Sequence, residues 1–163
     1  MSGRFLKKRL RPEDSVIVDR FSDEYPVKLG GLARELGIQV FSSTMPPGVS
    51  GSIERNEDGN FQIRVNRHDK KSRQRFTLAH EIAHFLLHRN LIGSKLTDDI
   101  LYRSHLSNQQ EVEANKLAAE LIMPSRLIEP FVSDMEDMAE DEVINLAERF
   151  GVSKDAMKIR LGL

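Results

Sequence analysis

The 163-residue sequence contains no cysteine and no long hydrophobic run. The absence of cysteine excludes disulfides, a thiolate nucleophile and thiolate-bound zinc, so a zinc site in this chain must be built from histidine and carboxylate side chains. Because there is no long apolar segment, we expect neither a signal peptide nor a membrane span. We therefore expect a soluble, cytoplasmic protein.

The chain also lacks an excess of either charge. Its 24 lysines and arginines balance 25 aspartates and glutamates, which gives no global argument for binding nucleic acid or an acidic surface. A partner of that kind would have to be bound by a local patch. With 39% hydrophobic residues, a chain of this length can bury one sizeable core, and this predicts one compact domain.

The most informative stretch is residues 75–88, an apolar segment without a helix breaker that contains His80, Glu81 and His84 as a His-Glu-x-x-His motif. On a helix the two histidines lie about 40° apart, and the glutamate falls within the same arc of about 100°. Two imidazoles can then share one zinc ion, with Glu81 placed to accept a proton from water. The alternative is a core helix whose histidines only hydrogen-bond to their neighbours. A third ligand is needed to favour zinc.

Two glutamates of a second predicted helix, residues 109–123 before Pro124, are candidates for the third ligand. Glu111 and Glu113 lie about 200° apart around the helix axis, so both cannot face one metal ion. Glu111 is in line with the buried alanines of this helix, which favours it, while Glu113 remains the alternative. Asn115, one turn after Glu111, could hydrogen-bond a histidine ligand from behind.

Three further side chains are candidates for supporting roles. His88 faces the same way as the motif histidines but lies about 6 Å beyond His84 along the axis, which predicts a wall or supporting residue rather than a ligand. Tyr102 and His105 belong to a polar stretch that follows the motif helix. Either could donate a hydrogen bond to the oxyanion of a tetrahedral intermediate.

The remaining N-terminal half predicts short elements of both kinds. Alternation of Phe61, Ile63 and Val65 with polar residues, after an Asn-Glu-Asp-Gly turn, indicates a hairpin with one buried face. The predicted elements are a basic, loosely held N-terminal arm and lead-in (1–22), a helix within 23–37 that Pro26 can start and Gly37 can cap, a strand (38–41), the hairpin (49–55 with 60–66) and a basic loop (66–75).

The C-terminal part, residues 130–163, begins with an acidic segment and continues as helix, glycine turn and helix. A DNA-reading second helix would use Lys154, Lys158 and Arg160, but the preceding acidic residues would repel phosphate. The pattern favours a packing element over direct DNA binding. The predicted architecture is a single α+β domain over 23–163, in which a small antiparallel sheet packs on the two metal-bearing helices and a C-terminal helical hairpin.

These motifs together resemble the ImmA/IrrE family of zinc metallopeptidases over roughly residues 26–163. The matching segments are residues 75–88 with the motif, the Glu-x-Glu-Ala-Asn segment from Glu111 to Met-Pro at 123–124, and the tail around Phe150-Gly151-Val152-Ser153. The resemblance implies a zincin-like fold with zinc bound by His80, His84 and Glu111.

The same resemblance implies that Glu81 is the catalytic residue and that the substrate is a helix-turn-helix repressor of the Xre/Cro type. Its cleavage would derepress mobile-element or stress genes. The competing hypothesis is a partner-binding subunit of a regulatory or toxin-antitoxin-like complex, with proteolysis absent and the metal site vestigial.

Overall fold

The computed structural model describes residues 2–93, 108–133 and 138–163, and within them the fold is α+β. Eight α-helices and three strands are present in these residues: α1 Gly3–Leu6, α2 Pro12–Arg20, α3 Leu29–Glu35, β1 Ile38–Ser43, β2 Gly51–Arg55, β3 Phe61–Asn66, α4 Lys71–His88, α5 Asn108–Ile122, α6 Ser125–Val132, α7 Glu140–Phe150 and α8 Lys154–Leu161. Short 3-10 turns follow α1 and α4. Among the described helices, none combines the length and the apolar character that a membrane span requires.

The three strands form a mixed sheet in the order β1-β3-β2. Strands β2 and β3 pair antiparallel, and the turn between them contains Gly59 at φ +83°, so the predicted hairpin is confirmed. Strand β1 pairs parallel to β3, so the prediction of a purely antiparallel sheet was wrong for this pair. The alternation of apolar residues shows which face of a strand is buried, but it contains no information on the order or direction of its neighbours.

The motif helix α4 lies at the centre of the core. It contacts β2 and β3, and its contact with α5 is more extensive than that between any other pair of helices in the described chain. Small residues allow this close approach, because Ala79 and Ala83 of α4 and Ala114 and Ala118 of α5 are all fully buried. The helix pair thereby brings the motif side chains next to the first turn of α5.

The N-terminal segment is packed against α5 rather than loosely held. Leu6 is fully buried and Leu10 is 7% exposed, so two apolar side chains four residues apart give this basic segment a buried side. A Cβ on Gly3 would lie 2.3 Å from the carbonyl oxygen of Lys116, which shows how closely α1 approaches α5. The expectation of a loose arm was wrong. It followed from the many basic residues of this segment, whereas the few apolar residues determine its packing. The domain boundary at residue 22 stays a prediction.

The predicted basic loop over 66–75 is only partly a loop, because α4 already begins at Lys71. Arg75 is therefore a helical residue, and its half-buried guanidinium donates to the carbonyl oxygens of Val27 (3.0 Å) and Gly151 (3.2 Å). These bonds join two parts of the chain to the motif helix: the segment directly before α3, and the C-terminal hairpin. The helix that Pro26 was expected to start begins at Leu29 instead and ends at Glu35.

The C-terminal hairpin has the predicted helix, glycine turn and helix, with Gly151 at φ +69° between α7 and α8. The cations that a DNA-reading helix would need are paired inside the chain. Lys154 Nζ lies 2.5 Å and Lys158 Nζ 3.9 Å from Glu140 Oε1, while Arg160 Nη2 lies 2.5 Å from Glu120 Oε2. These contacts support the packing role expected for the hairpin.

Candidate metal centre

Three side chains from two helices converge on one point. His80 and His84 lie one turn apart on α4, and Glu111 lies in the first turn of α5. The Nε2 atoms of the two histidines are 3.0 Å apart. Glu111 Oε2 is 3.3 Å from Nε2 of His80, and its Oε1 is 3.1 Å from Nε2 of His84. In the described part of the chain, these residues form a group that could hold a metal ion.

The spacing of these atoms fits a zinc ion. Zinc bonds to imidazole nitrogen and carboxylate oxygen at about 2.0–2.1 Å, and tetrahedral ligand atoms at that radius are about 3.3 Å from one another. The contacts between His80, His84 and Glu111 run from 3.0 to 3.3 Å. Two histidines and one glutamate also leave a fourth position for water or substrate, as in catalytic zinc sites.

His80 is oriented by Asn115, whose Oδ1 lies 2.8 Å from Nδ1 of the ring. An amide oxygen only accepts hydrogen bonds, so Nδ1 of His80 carries the proton. The Nε2 atom is then left with its lone pair, and it faces His84 and Glu111. This is the tautomer that a metal ligand needs.

His84 is oriented by a longer chain of contacts. Its Nδ1 lies 3.0 Å from Nδ1 of His88, and Nε2 of His88 lies 3.5 Å from Oε1 of Glu113. Glu113 is in turn paired with Arg9 from the N-terminal segment. With the His88 proton on Nε2, towards Glu113, its Nδ1 accepts from His84, whose Nε2 then faces the candidate metal position.

Burial and charge favour the protonation states that metal binding requires. Burial lowers the pKa of His84 to about 4, against the weaker opposing effect of Glu111, so the imidazole is neutral at pH 7. Close contacts with His80 and His84 hold the pKa of Glu111 well below its usual range, so this carboxyl is ionised. A metal ion bound here would displace any proton on the two Nε2 atoms, so that two lone pairs and one negative charge would face it.

Two acidic residues complete the surroundings of the site. Glu81 follows His80 on α4 and is fully buried, and its role as proton acceptor stays a prediction. For Glu113, burial opposes ionisation, but its contacts with Arg9 and His88 hold its pKa below the ordinary value. Its pairing with His88 directs Glu113 away from the triad, so the structure does not place this alternative ligand beside His80 and His84.

A cavity of about 210 Å³ lies beside the triad and gives access to it. His80 and Glu111 form part of its wall, together with Ser50, Thr77 and Asn115. Ser50 directly precedes strand β2, so the cleft lies between the sheet and the helix pair. A peptide entering it would reach the candidate metal position from the side of β2.

The structure brings together most of the side chains that the sequence singled out. His80, His84 and Glu111 form the triad, and Asn115 and His88 each contact one of its histidines. Tyr102 and His105 lie outside the described residues, so the oxyanion role predicted for either of them stays a prediction.

The contact of Glu113 with His88 and Arg9 was not predicted from the sequence. The sequence does contain a signal for the contact between Glu113 and His88, because His88 follows His84 by one helical turn and Glu113 lies two residues after Glu111. Nothing in the sequence pointed to Arg9.

A His-Glu-x-x-His helix that faces a glutamate of a second helix, beside a small sheet, is the arrangement of a zincin-like metalloprotein. The model of the Peptidase_M78 family, described as the IrrE N-terminal-like domain, matches residues 33–162. The chain therefore belongs to this family of metallopeptidases, which agrees with the resemblance seen in the motifs. No curated protein matches the chain.

Among solved structures, a Mycobacterium tuberculosis transcriptional regulator is similar to this chain, with a TM-score of 0.58 at 17% sequence identity. The similarity covers 97% of this chain and 50% of the regulator's chain, so the present chain spans half the length of that structure. At this identity the likeness shows the shared α+β fold alone.

Proposed function

We propose that this protein is a zinc-dependent endopeptidase that cleaves a regulatory protein. The observation that carries the proposal is the convergence of His80, His84 and Glu111, whose ligand atoms are spaced as a zinc ion requires. The cleft of about 210 Å³ beside them gives a substrate access to the candidate metal position. Membership of a metallopeptidase family supports the same assignment.

A zinc ion bound by the triad would supply Lewis-acid chemistry, polarising the scissile carbonyl and lowering the pKa of water towards about 7. Asn115 and His88 hold the rings of His80 and His84 in the ligating tautomer. Glu81 takes the proton of the attacking water and returns it to the departing amine. Water is thereby added across one peptide bond, which yields a carboxylate and a free amine.

For the substrate we propose a helix-turn-helix repressor of the Xre/Cro type, the class that the family resemblance implies. Its cleavage would release mobile-element or stress genes from repression. The site would then act in the cytoplasm, where such a repressor binds its operator. The paired state of Lys154, Lys158 and Arg160 supports action on the repressor protein rather than direct binding to its DNA.

The test compares the wild-type chain with Glu81→Gln and a matched control, Glu57→Gln, on the exposed turn between β2 and β3. Each zinc-loaded protein is incubated with extract of its source cells, and new protein N-termini are identified by mass spectrometry. We expect a repressor to be cut by the wild type and by Glu57→Gln, but not by Glu81→Gln at equal zinc content. Equal cleavage by the wild type and both variants would show that the reaction does not require Glu81. Regulatory activity that survives Glu81→Gln would support the partner-binding hypothesis instead.

A further inference from the structure

A second cavity lies next to the metal cleft and is larger, at about 440 Å³. It opens between α5 and α8, with the first residues of the chain on one side. Its apolar lining comes from three helices and comprises Phe76 of α4, Ala119 of α5, Ala156 and Ile159 of α8, and Met123 directly after α5. This apolar pocket is not used by the chemistry described above.

The apolar pocket and the metal cleft share two side chains. Phe76 and Asn115 line both cavities, and Asn115 is the residue that hydrogen-bonds the candidate ligand His80 at 2.8 Å. Phe76 and Asn115 therefore form a common wall between the metal cleft and the apolar pocket. A peptide held at the cleft would have its neighbouring side chains within reach of this pocket.

Ile159 at the edge of the apolar pocket is 79% exposed, more than any other large hydrophobic residue of the described chain. Packing of α8 does not need this side chain, because the helix is anchored by Met157 and Leu161, which are 0% and 2% exposed. An apolar side chain exposed beside a concave apolar surface is typical of a binding site. Because the apolar pocket lies next to the metal cleft, a peptide bound in the cleft would cover this exposed side chain.

We infer that the apolar pocket is the specificity pocket of the peptidase and binds a bulky apolar side chain of the substrate residue flanking the scissile bond. The inference rests on the proposed function, because the metal cleft is what places a peptide here. The two cations at the rim of the apolar pocket do not select a charged substrate side chain, because Arg160 is already paired with Glu120 and Lys116 is solvent-exposed.

The test measures binding of small hydroxamates to the zinc-loaded protein by calorimetry, so it does not depend on catalysis. Acetohydroxamate reports the metal alone. Two further series place an alanine or a leucine side chain on either side of the metal-binding group. The variant is Ile159→Asn, and the matched control is Val16→Asn, an exposed β-branched residue of α2 that does not line the apolar pocket.

We expect the leucine compound of at least one series to bind wild type about tenfold or more tightly than its alanine analogue, the usual effect of added methylenes in an apolar pocket. This preference should shrink to about threefold or less in Ile159→Asn and persist in Val16→Asn, with acetohydroxamate affinity equal in all three. Such a result supports a specificity pocket.

Three other results would overturn the inference. Normal acetohydroxamate binding with no leucine preference would exclude a specificity role for the apolar pocket and would still support the metal site. A leucine preference that Ile159→Asn leaves unchanged would place the apolar contact elsewhere. A wild-type dimer that Ile159→Asn converts to monomer, seen by sedimentation, would make the surface a contact between copies of the chain. Failure of acetohydroxamate to bind would instead mark the failure of the proposed zinc site, and the inference would fall with it.

Discussion

The pairing of Arg160 with Glu120 predicts a large loss of stability on substitution of Arg160 by methionine. The Glu120 side chain is 3% exposed and that of Arg160 is 19% exposed, with 2.5 Å between Nη2 and Oε2. Arg160 also donates to the carbonyl oxygen of Met123 at 2.8 Å and to Oγ of Ser125 at 3.0 Å. In Arg160→Met, Glu120 would keep only the two bonds from the Ser125 backbone and hydroxyl.

Leaving a buried carboxylate without its cation costs about 3–5 kcal/mol. Because Arg160 retains some solvent contact, we take the lower end, about 3 kcal/mol, out of the total of about 5–15 kcal/mol typical of a domain. With a denaturant slope of about 2 kcal/mol per molar urea, this lowers the unfolding midpoint by about 1.5 M. The double variant Arg160→Met with Glu120→Gln should recover part of the loss, because it removes the buried charge.

The assay is urea unfolding followed by circular dichroism, with Lys154→Met as the control. Lys154 pairs with Glu140 at the surface, and its substitution should leave the midpoint unchanged. Equal midpoints for Arg160→Met and Lys154→Met would refute the argument that α8 is anchored through this pair. Lower affinity for DNA in Arg160→Met at unchanged stability would favour the DNA-binding hypothesis instead.

Two further predictions concern the metal centre. The pKa of His84 falls from 6.5 to about 4 on folding, so between these values the unfolded metal-free chain binds a proton that the folded chain does not. In EDTA, the contribution of His84 to the free energy of unfolding should therefore be fully present above pH 6.5 and fall by about 3 kcal/mol towards pH 4. The depressed pKa of Glu111 lowers the free energy of unfolding only below pH 4.5. A flat profile of urea midpoints over this range would contradict the assignment. Glu113→Gln should weaken zinc binding about 10- to 100-fold at unchanged stoichiometry, because it removes the negative charge of the carboxylate that contacts His88. Chelator competition measures this affinity, and an affinity equal to that of Glu57→Gln would exclude a role for the contacts that join Glu113 through His88 to His84.

Local patterns in the sequence were sufficient for the elements that form the centre. Helical periodicity alone placed His80 and His84 on one face, and the contrast between Glu111 and Glu113 was visible from their angular separation. The turn at Gly151 followed from glycine's tolerance of positive φ. In each case the residues lie close together in the chain, where spacing determines geometry.

The features that were missed depend on contacts between distant parts of the chain. Strand β1 pairs with β3 across an intervening strand, and no periodicity specifies that order. Arg9 reaches Glu113 over 104 residues, and Arg75 reaches Gly151 over 76. The apolar pocket likewise combines residues of α4, α5 and α8, and no single segment shows it.

The most direct test of the central claim is the zinc content of the purified chain, measured by elemental analysis after purification without added metal. We predict one zinc per chain in the wild type and in Glu113→Ala, and none in Glu111→Ala, because Glu111 alone of the two glutamates lies beside His80 and His84. Absence of zinc from the wild type, even after reconstitution, would contradict the peptidase assignment. Zinc retained in Glu111→Ala but lost in Glu113→Ala would contradict the proposed ligand set.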